Sequence, residues 1–290
     1  MSRELKLTLV RTTARALRAT HGHSLHSLAV VPFLLLALGL SACGTMFGGR
    51  GWGQDATLAP GWGRVGRAAW NATAAPETWI PAAGALALQF GHADESVVDW
   101  AAKNTPVYGS QQNADQMSDH LKHASAALWI VSGVATPSGD GFEQWSLNKA
   151  RGFAVQLSSG FLLRETVGYM KGATDRTRPN GAGQSFPSAH ASGTSHYNTQ
   201  TSKNVEALEW STATTTATQV GLGALTVATA WARVEANQHY PSDVLAGMAL
   251  GHFFGAFFTD AFIGIDDPRN LTILFEPARD GIAATVRFNF

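Results

Sequence analysis

From residue 76 to residue 264 the chain carries long apolar stretches that never settle into the two-residue alternation of a half-buried strand. Six of them, at 79–90, 115–134, 142–170, 188–200, 215–234 and 241–263, predict helices, and Pro106, Pro137, Gly139, Pro179 and Pro187 break the chain between them. The expected fold class is therefore all-α, a six-helix, bundle-like core over 76–264. The most apolar runs, 221–232 and 244–258, fall short of the ~20 residues that span a bilayer as a helix. The other helices carry charges such as Asp119, Lys122 and Arg151, so a globular helical domain is expected in preference to a polytopic one.

Both ends of the chain differ from this core. Residues 1–42 form a basic stretch (Arg3, Lys6, Arg11, Arg15, Arg18 against Glu4), an apolar run at 28–40 and the small residues Ser41 and Ala42, which is the pattern of an export signal. Cys43 follows as the sole cysteine, which excludes an intrachain disulfide and any multi-thiolate metal site. Residues 43–75 are rich in Gly and Trp, with Gly51-Trp52-Gly53 repeated ten residues later, and read as a linker whose Trp52, Trp62 and Trp70 suit either a membrane interface or the domain surface. Residues 265–290 contain strand-like runs at 271–275 and 282–290 around a Pro277–Gly281 turn signal, the pattern of a β-hairpin tail. With 21 basic and 21 acidic side chains, the whole chain shows no charge excess that would mark it for nucleic acid.

Three short segments carry the chemistry. Six residues separate Lys171 from Arg178-Pro179; Pro187-Ser188-Ala189-His190 follows; five residues separate Arg233 from His239, and three separate His239 from Asp243. A phosphomonoester bears about two negative charges, and its transition state spreads them over equatorial oxygens, so fixed donors aimed there lower the barrier. Lys171, Arg178 and Arg233 supply such charge, the arginines with a planar fork that grips two oxygens. Ser188, after a proline at a helix start, adds a hydroxyl and the free N–H groups of Ala189 and His190. Pro241 suits the first turn of the last helix, which sets His239 just before that helix and Asp243 within reach of one ring nitrogen. His239 is the candidate nucleophile with Asp243 as its orienting partner, and His190 is the candidate acid and base. His252 reads as a packing residue; His92, His120, His123 and His196 read as surface or core-edge groups, and Arg176 as a solvated neighbour of the first motif.

This constellation resembles the type 2 phosphatidic acid phosphatase superfamily, which includes lipid phosphatases, soluble bacterial acid phosphatases and vanadium haloperoxidases. The resemblance covers about residues 79–264, with Ala189 where the family has glycine and Ala232 where it has serine. It implies metal-independent hydrolysis of phosphomonoesters or pyrophosphates through a phosphohistidine. Lipid phosphates are the favoured substrates, a soluble phosphoester is the rival, and vanadate is an inhibitor. The alternatives are a vanadate-dependent haloperoxidase and a non-catalytic structural lipoprotein of the outer membrane. Residues 40–43 likewise resemble the lipobox of bacterial lipoproteins. That implies lipidation of Cys43, a membrane partner through that lipid and, with Gly44 next, an outer-membrane site facing the periplasm.

Overall fold

The computed structural model describes residues 44–46, 49–91, 93–264, 271–278 and 281–288, the last two segments as backbone. The segment 1–42, read as an export signal, together with Cys43 and His92, lies outside the described residues. Among the described residues eight α-helices run in order: α1 Trp62–Ala74, α2 Pro76–Phe90, α3 Asp94–Asn104, α4 Gln111–Ala135, α5 Phe142–Thr174, α6 Ala189–Glu206, α7 Thr212–Glu235 and α8 Pro241–Phe258, which continues into a π-helical turn at Thr259–Ile263. Strands β1 Leu271–Ala278 and β2 Gly281–Phe288 pair antiparallel, Leu271 opposite Phe288.

Where six helices were expected over 76–264, the described residues there form seven, and α1 precedes them as an eighth. α1 falls in the segment read as a linker, and it buries only Ala68 and Ala72, which leave no large apolar stripe in the sequence. It nevertheless packs on α8. α3 buries Asp94, Val98 and Ala101 within a mostly polar segment, so its periodicity is equally faint. The two Gly-Trp-Gly segments also part company. Trp62 opens α1 and is 89% exposed, whereas Trp52 is fully buried, edge-on to Phe153 at 5.7 Å and beneath the Lys149 ammonium at 5.1 Å. A side chain at Gly152 would stand 2.2 Å from the Trp52 ring, so that glycine is what admits the indole.

The centre of the fold is the pair α6 and α8. α6 packs on α4, α5, α7 and α8, and α8 in turn packs on α1, α2, α3, α5, α6 and α7. Gly247, Gly251 and Gly255 form the seam: a Cβ at Gly251 would lie 2.2 Å from the Ser192 carbonyl oxygen, so the two backbones approach as closely as glycine allows. Together with its π-helical turn, α8 forms the 23-residue segment Pro241–Ile263. It is long and apolar enough to cross a membrane by length and composition, and here it is the helix around which the others pack.

The polar run on α6 is interior. Ser195, Asn198, Gln200 and Asn204 are buried, and their side chains bond to Met248 O, Leu222 O, Gln156 O and Ser132 Oγ. Such bonds are what make burial of amides and hydroxyls affordable. His196, read as a surface or core-edge residue, is corrected to the core: it is 2% exposed and bonds Ser159 Oγ at 2.9 Å. His252 bonds Thr78 Oγ1 at 2.7 Å, in keeping with a packing role.

Candidate active site

The amino ends of α6 and α8 lie side by side, because Ser188 N donates to the Asp243 carbonyl oxygen at 3.0 Å. Ser188 caps α6, its Oγ accepting from Ala191 N at 3.4 Å. Ala189 is the first residue of that helix and is absent from the left-handed residues, so alanine meets no backbone penalty where the related motif has glycine. Pro241 opens α8. Ahead of it, Gln238 N and His239 N both donate to Arg233 O, at 3.1 and 3.3 Å, so the turn that places His239 hangs from the last turn of α7.

The first motif closes over this point from the end of α5. Arg178 Nη1 donates to Gln238 Oε1 at 2.8 Å, next to His239. Lys171 Nζ donates to Gln184 O at 2.5 Å and to Ser185 O at 3.3 Å. Burial pushes the Lys171 ammonium down to about 8, and Arg178 and Arg233 push in the same direction against Asp243. Arg233, 5% exposed, donates to Asp115 Oδ1 at 2.5 Å and Ser118 Oγ at 3.0 Å on α4. Among the described residues no carboxylate stands within ion-pair reach of Lys171 or Arg178.

His239 is 2% exposed, and burial takes its imidazole down to about 4. Its Nδ1 stands 3.6 Å from Asp243 Oδ2, longer than a hydrogen bond. That oxygen already accepts Ser185 Oγ at 2.5 Å and Tyr240 N at 2.9 Å. The expected direct His239–Asp243 bond is thus an open contact in which the carboxylate is aimed at the ring. Burial raises the Asp243 carboxyl, but His239, Ser185 and Arg176 outweigh it and hold the group below its ordinary value. His190, at the second residue of α6, bonds through Nε2 to Asp119 Oδ1 at 2.7 Å.

All seven side chains singled out for chemistry are therefore tied into one connected site, held by α4, α5, α6, α7 and α8. Residues 143–263 match the family model of the PAP2 superfamily. The matched segment holds every one of the motif residues. This part of the chain belongs to the PAP2 superfamily. The chain is also similar to a solved structure, that of the first transmembrane PAP2-type phosphatidylglycerolphosphate phosphatase from Bacillus subtilis. The two share 18% identity over 63% of this chain and 90% of that one, with a TM-score of 0.47. No curated protein sequence matches the chain.

Several side chains of this PAP2 site were not found by sequence reasoning. Arg176, expected to be solvated, is corrected to the site's interior. Its Nη2 donates to Asp94 Oδ2 at 2.9 Å, its Nη1 to Asp243 Oδ1 at 2.7 Å and Ser242 Oγ at 2.8 Å, and its guanidinium lies 4.1 Å from the Tyr240 ring centre. Asp94, Asp115, Ser118 and Asp119 precede the PAP2 match altogether, and no motif spacing links them to it. A cavity of about 670 Å³ lies elsewhere, lined by Glu77, Asn198, Gln219 and His252 among others, and none of the seven PAP2 motif residues lines it.

Proposed function

We propose that the protein is an exported, membrane-anchored phosphatase that hydrolyses phosphomonoesters or pyrophosphates, with lipid phosphates as its substrates, through a phosphohistidine at His239. The observation that carries this reading is the crowding of Lys171, Arg178 and Arg233 beside one neutral imidazole. Like charges gathered without carboxylate partners for two of them are costly, and a phosphoryl group offsets that cost.

In the proposed sequence, the three cations, Ser188 Oγ and the free N–H groups at the start of α6 hold the phosphoryl oxygens. His239 faces Asp243 through Nδ1, which leaves Nε2 to attack phosphorus. As the P–N bond forms and the P–O bond breaks, His190 gives its proton to the departing oxygen. His190 then takes a proton from water as the water attacks phosphorus and the P–N bond breaks, which releases phosphate and restores both imidazoles. The outer face of α2 supports a lipid surface as the working environment, since Trp79, Ile80, Leu86 and Phe90 are all more than half exposed there.

The test is phosphate release by the full chain and by His239→Ala from phosphatidate, a polyprenyl diphosphate and a chromogenic aryl phosphate. Activity should persist in EDTA, be blocked by vanadate and vanish with His239. An acid-labile phosphoenzyme in the variant would overturn the nucleophile, and silence of the wild type on all three substrates would overturn the phosphatase. For the anchor, Cys43→Ser should release the protein from membranes; retention at high salt would reject lipidation as the attachment.

A further inference from the structure

We propose that Asp119 is a positioning residue for His190, a carboxylate on α4 that fixes the imidazole and holds it ready to deliver its proton to the leaving oxygen. The inference rests on the reading of His190 as the general acid. The geometry is a 2.7 Å contact between Asp119 Oδ1 and His190 Nε2 across 71 residues of sequence, and Asp119 lies outside the segment that matches the PAP2 superfamily.

The energetics separate this role from a structural one. The Asp119 side chain is 55% exposed and the His190 side chain 24%, so the pair reaches solvent and contributes little to folding. Its effect on the proton is larger, because the surroundings of His190 otherwise oppose its charged form. Burial and Arg233, together with Lys122, push the imidazole down, and Asp119 is the group that pushes it up. The bond is mutual, since His190 is the foremost reason the Asp119 carboxyl is held below its ordinary value. Of the elements packed on α6, α4 turns Asp119 and Lys122 toward His190 and α7 turns Arg233. α5 brings Lys171, the turn between α7 and α8 brings His239, and α8 brings Asp243 to the same cage.

The bond also assigns the two nitrogens. With Nε2–H donated to Asp119, Nδ1 carries the proton that leaves. When the P–O bond to the leaving group breaks, that proton passes from Nδ1 to the departing oxygen and the ring becomes neutral; the later attack of water returns a proton to Nδ1. Asp119 accepts from Nε2 in both states and stays ionised, as the partner carboxylate of a catalytic histidine does. One turn earlier on the same helix, Asp115 holds Arg233, so α4 orients an anion-binding cation with one carboxylate and the acid with the next.

The experiment compares the full-length wild type with Asp119→Asn and Asp119→Glu on two substrates. Phosphatidate has an alkoxide leaving group that needs a proton, and an aryl phosphate has one that does not. Asp119→Asn should lower kcat/KM on phosphatidate by roughly tenfold or more, with kcat/KM on the aryl phosphate little changed, since that ratio ends at departure of the leaving group and general-acid catalysis contributes about 10²–10⁴-fold. The alkaline limb of the phosphatidate pH profile should move to lower pH, because an imidazole without its carboxylate loses its proton sooner. Asp119→Glu should restore most of both. Equal losses on the two substrates with an unmoved pH limb would overturn the proposal. An NMR titration of the His190 ring, assigned with His190→Gln, keeps this test independent of the phosphatase reading. If the wild type releases no phosphate, a His190 pKa that falls in Asp119→Asn still supports the coupling, and an unchanged value overturns it.

Discussion

Arg176 Nη1 donates to Asp243 Oδ1 at 2.7 Å, while the other oxygen of the same carboxylate faces His239 Nδ1 at 3.6 Å. The guanidinium thus holds Asp243 from behind, and its second arm reaches Asp94. Asp243 is fully buried and Asp94 nearly so. Removing Arg176 leaves two buried carboxylates without their cation, a loss of about 3–5 kcal/mol for a broken buried pair. Arg176→Ala should show that loss in urea unfolding. Arg176→Lys should recover part of the stability but little of the turnover, because an ammonium cannot bridge two carboxylates with a planar fork.

The pH dependence of kcat/KM follows from the two buried bases. With its imidazole at about 4, His239 is neutral through most of the acid range, so the acid limb should lie near 4 rather than near the 6.5 of a free histidine. Lys171, at about 8, is a cation below that value and loses its charge above it, so phosphate binding should weaken on the alkaline side. Rate profiles on an aryl phosphate, which does not need the acid at His190, are the measurement. An acid limb that stays near 6.5 would remove the claim that His239 works from a desolvated position.

Acid should also unfold the protein earlier than its carboxylates alone require. His196 is pushed down to about 4 by burial. In the unfolded chain a histidine takes up its proton near 6.5. Between those values the unfolded state binds more protons, so stability is present above 6.5 and is lost as pH falls toward 4, by roughly 3 kcal/mol for this one group. Urea unfolding at stepped pH should show the decline, with a shallower slope in His196→Gln.

Ala189→Gly tests whether the departure from the family motif matters. Ala189 is helical and donates through the same backbone N–H as glycine. The substitution should change kcat/KM by less than about threefold and cost stability by roughly 0.5–1 kcal/mol in backbone entropy. A large gain in activity would mean that alanine distorts the anion site.

Gly251→Ala probes the seam that sets the two helix ends together. Its Cβ would meet the Ser192 carbonyl oxygen at 2.2 Å, a backbone atom that cannot swing away. α8 should be displaced from α6, with a stability loss of about 1–3 kcal/mol and a loss of turnover, since Ser188 and Asp243 are joined across that seam. Differential scanning calorimetry and a phosphate-release assay on the same preparation would measure both.

The amino-acid sequence by itself determined the helical class and the seven motif residues, together with the helix starts at Ser188 and Pro241 that present four of them. Those features are local. A proline, a capping serine and a cation seven positions before Arg178 act through backbone geometry within a few turns, so they can be read without knowing what lies opposite. Tertiary structure alone decided what holds those residues in place. Arg176 meets Asp94 across 82 positions, His190 meets Asp119 across 71 and Arg233 meets Asp115 across 118. No periodicity connects such partners, because a charged side chain on a polar helix has the same sequence appearance whether it faces solvent or a buried cation. The same limit hid α1, whose buried face is alanine, and made His196 in the polar run of α6 read as a surface or core-edge group. The glycine seam on α8 draws α6 into the interior, and there the amides of Asn198, Gln200 and Asn204 each donate to a partner on a neighbouring helix.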